Sequence, residues 1–192
     1  MDKERLQRRI ASARQFDVGL EHDTGELKPA AVLIPLIERR QGFNILLTRR
    51  TETLRAHPGQ ISFPGGRIEP EDASVEAAAL RESQEEIGLP PERVDIIGRL
   101  GSWRTGTGFI IYPVVGVVEV PVRLRPDPGE VAEIFELPLS FLLDPANHKP
   151  HVYERGGRRH ELIALPYGNY FIWGATAAML HGLYHALADE TA

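Results

Sequence analysis

The segment Asp72–Leu89 reads DASVEAAALRESQEEIGL. At about 100° per residue, Glu82, Glu85 and Glu86 share one arc of a helical wheel, about 100° wide. Ala73, Ala77, Leu80 and Ile87 cluster opposite and are expected to face the core, while Ala78 and Ala79 flank the acidic arc with small side chains. Asp72 reads as the N-cap of this helix and Gly88 as its C′ residue. Upstream, Ala31–Ile37 and Phe43–Thr48 read as strands joined by a hairpin turn at 38–42. Downstream, Val94–Leu100, Ile110–Val118 and Val131–Glu136 read as further strands, and Val152–Glu154 and Glu161–Leu165 flank a second hairpin signal at Gly156-Gly157. A helix is expected over 3–16, in an N-terminal segment 1–20, with Leu6, Ile10 and Ala13 on one side. A closing helix is expected over Gly174–Leu187, in a C-terminal segment 172–190, with Met179, Leu180, Leu183 and Leu187 inward. Strands before and after one central helix predict an α/β class domain, a mixed sheet with helices packed on it.

The 192 residues fit one domain, 1–192. A hydrophobic content of 42% with 26% charged residues excludes the disordered and fibrous classes. The absence of cysteine excludes disulfides, zinc–thiolate sites, iron–sulfur clusters and thiol nucleophiles. No apolar run reaches the length of a membrane span, and MDKERLQRRIASARQF lacks the apolar core of a signal peptide, so a soluble, cytoplasmic protein is expected. A net charge of −5 argues against wholesale nucleic-acid binding. Arginine outnumbers lysine 19 to 3. Genome composition or heat tolerance accounts for most of that excess, and the places of individual arginines carry more information than their total.

Like charges at i,i+3 and i,i+4 each cost a few tenths of a kcal/mol. Arg81 pairs with only part of the acidic cluster, and a bound hard cation is a natural counter-charge. Carboxylate oxygens without cysteine or nearby histidine suit Mg²⁺ or Mn²⁺. A solvated acidic helix face is the competing reading. Phe63-Pro64-Gly65-Gly66 lies just before the helix, where the glycines permit close backbone approach and present N–H groups to an anion. In isolation this is a simple tight turn. Beside an acidic helix it places phosphate and metal together, as metal-assisted phosphoryl chemistry requires.

Gly66 to Leu89 resembles the Nudix box, ending in Arg-Glu-Ser-Gln-Glu-Glu-Ile-Gly-Leu at 81–89, a match in every fixed position of R-E-x-x-E-E-x-G. Arg81 lies fifteen residues after Gly66, one more than the usual spacing, so the first glutamate position falls on Asp72 or on Ala73. The resemblance implies a Nudix-like α/β/α sandwich with a central mixed sheet, and hydrolysis of a nucleoside diphosphate linked to another group. It also implies roles: Glu82 and Glu86 as principal metal ligands, Glu85 as a third ligand or water-orienting group, and Arg81 holding a carboxylate through a salt bridge. Glu130 and Glu133 are alternatives to Glu85 for a general base.

The preceding segment resembles the coenzyme A diphosphatase subgroup: Leu46-Leu47-Thr48-Arg49-Arg50, then Leu54-Arg55-Ala56-His57-Pro58-Gly59-Gln60, then Ile61-Ser62-Phe63-Pro64-Gly65-Gly66. This implies cleavage of coenzyme A or its derivatives, with a homodimer as the implied assembly. Broader hydrolysis of ADP-ribose, NADH or dinucleoside polyphosphates is the alternative, and a non-catalytic binding module is disfavoured by the three retained glutamates. Coenzyme A carries a 3′-phosphate besides its diphosphate, so its site needs extra cations. Arg49, Arg50, Arg55 and His57 form a local positive cluster, and alternation along a strand lets only one of Arg49 and Arg50 face the site. Arg50 and Arg55 are expected there, with His57, Gln60, Phe63, Gly65 and Gly66 as further substrate contacts. Trp103 lies in a Gly-rich stretch, 101–108, readable as a mobile loop over substrate or as a plain connection. Tyr170, Phe171 and Trp173 are expected in packing roles, and His181 and His185 at a surface or helix end.

Overall fold

The computed structural model describes residues 1–12, 18–19, 27–54, 56–155 and 158–188, with no side-chain description at 18, 19, 155 and 158. The elements are α1 (Lys3–Ser12), β1 (Val18–Gly19), β2 (Lys28–Arg39), β3 (Gly42–Arg50), β4 (Ile61–Ser62), β5 (Gly65–Arg67), α2 (Val75–Ile87), β6 (Val94–Arg99), β7 (Trp103–Arg104), β8 (Phe109–Val118), β9 (Val131–Pro138), α3 (Leu139–Leu143), β10 (Lys149–Arg155), β11 (Arg158–Tyr167), β12 (Tyr170–Ile172) and α4 (Gly174–Leu187). The first nine strands form one mixed sheet, and β10–β11–β12 form a separate antiparallel sheet.

β2 organises the large sheet. Its residues 30–37 are all buried, as in a strand covered on both faces. Val32, Ile34 and Leu36 enter the core shared with α1, α3 and α4. Ala31, Leu33 and Ile37 enter the core beneath α2. This two-sided burial makes the α/β/α sandwich. On one side β2 runs parallel to β8, from Lys28↔Phe109 to Ile37↔Val118. On the other it pairs antiparallel first with β5, through Val32↔Gly65, and then with β3, from Leu36↔Ile45. Pro35 falls in the gap between these two partners, where its missing N–H leaves no ladder bond unmade.

The expected elements are present with shifted ends. α1 stops at Ser12 and buries Leu6 and Ile10; Ala13 and the expected continuation to 16 lie outside the described residues. Arg9 donates to the Leu187 and Ala188 carbonyls at 2.6 and 2.8 Å, tying α1 to the end of α4. Gly156-Gly157 also lies outside the described residues, although Arg155↔Arg158 closes the flanking hairpin register. Trp103 pairs with Ile111, and Thr105 N–H donates to the Phe109 carbonyl at 2.9 Å, so 101–108 is a connecting hairpin. Tyr170 stacks on Phe135 with centroids 3.7 Å apart, and Trp173 packs edge-on against His151 and Tyr153, whereas Phe171 is exposed.

The central helix departs from expectation at its start and in its buried face. Ser74, not Asp72, is the N-cap: its side chain accepts from Ala77 N–H at 3.1 Å. Asp72 is drawn away because its carboxylate accepts from Glu69 N–H and from Arg81. The buried face is Ala78, Ala79, Ser83, Glu86 and Ile87. Ala73 precedes the helix and is exposed, and Ala77 and Leu80 are half-buried. The two methyl side chains of Ala78 and Ala79 let the backbone sit close to the sheet, which swings Glu86 inward. Gly88 ends the helix at φ +64, in the left-handed region.

Replacing Ser74 by alanine is expected to lower stability by about 1 kcal/mol, and Ser74→Asp to keep it. Urea midpoints check this; a neutral Ser74→Ala variant would refute the capping assignment.

Candidate active site

The site is built where α2 crosses β5. Gly65 N–H donates to Glu86 at 3.1 Å. Gly65 has φ +154, and a side chain there would overlap the Ala31 carbonyl. A Cβ on Gly66 would stand 2.5 Å from the Glu82 carboxyl carbon. Both glycines are therefore required by the closeness of strand and helix. Past the end of α2, Arg125 N–H donates to the Ile87 carbonyl and Asp127 N–H to the Glu86 carbonyl, at 2.9 and 2.8 Å. That clamp brings Glu130 over the same cleft.

The three box glutamates occupy different surroundings. Glu86 is 5% exposed, and burial, reinforced by Glu130 and Glu82, pushes its pKa up to about 7 against the pull of Gly65 N–H and Arg50. Glu82 is also raised by burial, with Arg81 opposing. Glu85 has a 60% exposed side chain, does not line the cleft and pairs with Arg81 at 3.1 Å. Arg81 is a latch. It grips Asp72 bidentately at 2.9 and 3.0 Å, donates to Glu82 at 2.9 Å and donates to the Arg67 carbonyl at 3.0 Å. This guanidinium holds Asp72 below the usual carboxylate range. Of the two candidates for the first acidic position, Asp72 is thus the one joined to the site.

Arg49 and Arg50 diverge, as alternation requires, with a register irregularity between them opposite β9. Arg49 pairs outward with Glu133 at 3.2 Å, and Tyr170 OH donates to the same carboxylate at 2.6 Å. Arg50 turns into the cleft, its Nη1 3.9 Å from Glu86, and its buried Nε has no hydrogen-bond partner. Of the alternative bases, Glu130 therefore lines the cleft and Glu133 faces away.

The substrate contacts inferred from the upstream motif are only partly brought together. Gly65, Gly66 and Arg50 line an open cleft of about 380 Å³. Phe63 is a correction: it is 2% exposed inside the core shared with α4, where its ring supports the turn and is closed to a ligand. His57 is exposed at φ +56 and Gln60 is half-buried; neither lines the cleft. The Gln60 carbonyl accepts from Arg50 N–H at 2.9 Å, so that residue braces the strand carrying Arg50. Arg55 lies outside the described residues. Arg67, Glu69 and Phe109 also line the cleft, and sequence reasoning missed them. Arg67 had a signal in its place next to Gly66; Phe109 had none, because its strand neighbours come from elsewhere in the chain.

Glu82 and Glu86 offer two carboxylates to a cation, with no larger metal-binding group of His, Cys, Asp or Glu among the described residues. Two carboxylates with substrate phosphates and water suit Mg²⁺, which seldom occupies an all-protein cage. His148, His181 and His185 form a chain elsewhere: His148 Nδ1 to His181 Nδ1 at 3.0 Å, and His181 Nε2 to His185 Nε2 at 2.9 Å. Opposite nitrogens of His181 are used, so the three imidazoles do not converge on one point. No described helix is long and apolar enough to cross a membrane.

Comparison with known proteins gives one consistent result. A family model described as NUDIX domain matches residues 27–155. The chain is 43% identical over 164 residues, 85% of each chain, to an Enterobacter sp. (strain 638) protein named uncharacterized Nudix hydrolase NudL. It is 43% identical over 163 residues to the protein of the same name from Cronobacter sakazakii, covering 85% of this chain and 84% of that one. Among solved structures, a NUDIX hydrolase from Alicyclobacillus acidocaldarius superposes with TM-score 0.54 at 17% identity, covering 88% of this chain and 96% of the other. That likeness is one of fold.

The raised Glu86 makes a signed prediction for metal-free protein. The unfolded chain releases the Glu86 proton near the ordinary value of 4.5, the folded chain only near about 7. Its contribution to stability is therefore fully present below 4.5 and is lost as pH rises through about 7. In EDTA, Glu86→Gln is expected to become stabilising relative to wild type as pH rises across that window, then to level off. Thermal melts from pH 4 to 8 check this, and a pH-independent difference would contradict it.

Proposed function

The chain belongs to the Nudix hydrolase family, enzymes that act on phosphoanhydride bonds, and we propose that its substrate is coenzyme A or a thioester or disulfide of it. The products would be 3′,5′-ADP and 4′-phosphopantetheine or its derivative. The observation that carries this reading is Arg50, a cation from the Leu46–Gly66 motif that turns into the cleft with its buried Nε unpartnered. Nudix hydrolases generally use divalent metal ions, and the ion proposed here is Mg²⁺ or Mn²⁺, held by Glu82 and Glu86. Bound there, it would polarise the diphosphate and lower the pKa of a bound water.

The chain's own groups supply the rest. Arg50 donates to a diphosphate oxygen, satisfying its Nε and offsetting charge developed on phosphorus. Gly65 and Gly66 leave the substrate room to approach the helix. Arg81 fixes the Glu82 carboxylate and is a positioning residue, with Glu85 bracing it from the exposed side. Glu130 takes the proton of the attacking water as the P–O–P bond breaks and the leaving phosphate departs with the electron pair. His57 and Arg55 remain proposed contacts for the further phosphate, and Gln60 holds Arg50 in place. The compartment proposed is the cytoplasm.

The test is incubation with coenzyme A and Mg²⁺ or Mn²⁺, beside ADP-ribose and NADH, with products resolved by mass. Turnover of coenzyme A at far higher kcat/KM is expected; cleavage of ADP-ribose alone would keep the hydrolase and reject the substrate. Glu86→Gln is expected to lower kcat by at least about a hundredfold and to abolish Mg²⁺-dependent thermal stabilisation. Arg50→Ala is expected to lower kcat/KM by roughly ten- to a hundredfold, the range for a lost hydrogen bond to a charged group.

A further inference from the structure

Arg67, Glu69 and Phe109 line one region of the cleft without a part in the reaction above. Phe109 opens β8 opposite Lys28, and Arg67 closes β5 opposite Ala30. Paired residues, and residues two apart on a strand, share a face, so Arg67, Ala30 and Phe109 stand on the same face of the sheet. Ala30 contributes only a methyl group there. The Arg67 guanidinium lies 5.6 Å from the Phe109 ring centroid, within cation–π range. No carboxylate pairs with Arg67 among the described residues. Its guanidinium is therefore parked on a ring face. The Arg67 carbonyl stays fixed by Arg81, so the side chain is free to move without disturbing β5.

This is the geometry of a sandwich before its filling. A planar heterocycle held between ring and guanidinium needs about 7 Å, twice an ordinary carbon–carbon contact. The exposed Arg67 side chain has to swing outward by only part of its own length to provide it. We propose that Phe109 and Arg67 form the nucleobase subsite, with the base of the substrate stacked on the Phe109 ring and capped by the Arg67 guanidinium. The proposal rests on the reading of the cleft as a nucleoside-diphosphate site. Phe109 and Arg67 line the same cleft as Gly66, Glu82 and Glu86, so a base on Phe109 leaves the diphosphate within reach of those residues. A pantetheine chain offers this pair only small isolated amide planes, whereas every base has an extended aromatic face. Glu69 supplies an acceptor for an exocyclic amine.

The experiment is isothermal titration of the full chain, in Mg²⁺ buffer, with 5′-AMP and with ribose 5-phosphate. Neither ligand contains a P–O–P bond, so binding is read without turnover. Wild type is expected to bind 5′-AMP roughly tenfold tighter or more, the scale of one base–aromatic stack. Phe109→Ala is expected to erase that preference while leaving ribose 5-phosphate unchanged, Phe109→Trp to keep it, and Arg67→Ala to reduce it. The proposal is overturned if wild type shows no preference, if Phe109→Ala keeps it, or if Phe109→Ala weakens both ligands equally. The coenzyme A assay is separate: its failure with the 5′-AMP preference intact rejects the substrate alone, and the reverse rejects the subsite alone.

Discussion

The site depends on the hydrogen bond from Gly65 N–H to Glu86. It forces a carboxylate into the contact between strand and helix, where Glu86 is 5% exposed. Burying an ionised carboxylate is costly unless it is paired. One backbone N–H and an arginine at 3.9 Å offset that cost only in part, and the raised pKa of Glu86 is the consequence. The surrounding residues follow from the same closeness. Gly65 and Gly66 have no room for side chains, and Ala78 and Ala79 are fully buried on the facing helix.

Arg81 resolves most of the repulsion along the helix, and the way it does so separates the glutamates by role. Its guanidinium reaches Asp72, Glu82 and Glu85, and it stops short of Glu86. The exposed Glu85 thus works on the latch, Glu82 is shared between latch and cleft, and Glu86 is left for the cleft. A bidentate grip on Asp72 fixes the planar guanidinium, so the Glu82 carboxylate is held by a rigid partner.

Much of this was legible in the sequence because it rests on local periodicity. The apolar run Ala31–Ile37 is a strand in the structure, the apolar pattern of Gly174–Leu187 matches α4 at both bounds, and R-E-x-x-E-E-x-G points to Glu82 and Glu86, which line the cleft. Asp72 was misread because aspartate is a good N-cap, and only the fold brings Arg81 across to compete for it. The wheel misjudged the buried face by treating all three carboxylates as solvent-seeking, whereas Gly65 offers Glu86 a donor inside. Phe63 was read as a contact through its motif, yet a large apolar ring beside a tight turn is better buried. Phe109 was invisible because its neighbours arrive through parallel pairing with a strand some eighty residues earlier.

Two unfavourable features converge on one cleft: a buried carboxylate with too little positive charge, and a buried Arg50 Nε with no acceptor. A buried donor without a partner costs about 1–3 kcal/mol, and removal of either group by mutation is easy. Arg50 and Glu86 could also relieve one another by closing from 3.9 Å to hydrogen-bond distance. Each has a backbone contact close by: Arg50 N–H donates to the Gln60 carbonyl, and Gly65 N–H donates to the Glu86 carboxylate. A cation and an anion side by side in one cleft, each undersatisfied, suit a ligand that bears both signs. The metal-bound diphosphate proposed above would be such a ligand, its cation answering Glu86 and its oxygens Arg50. Such local violations of folding rules are characteristic of functional sites.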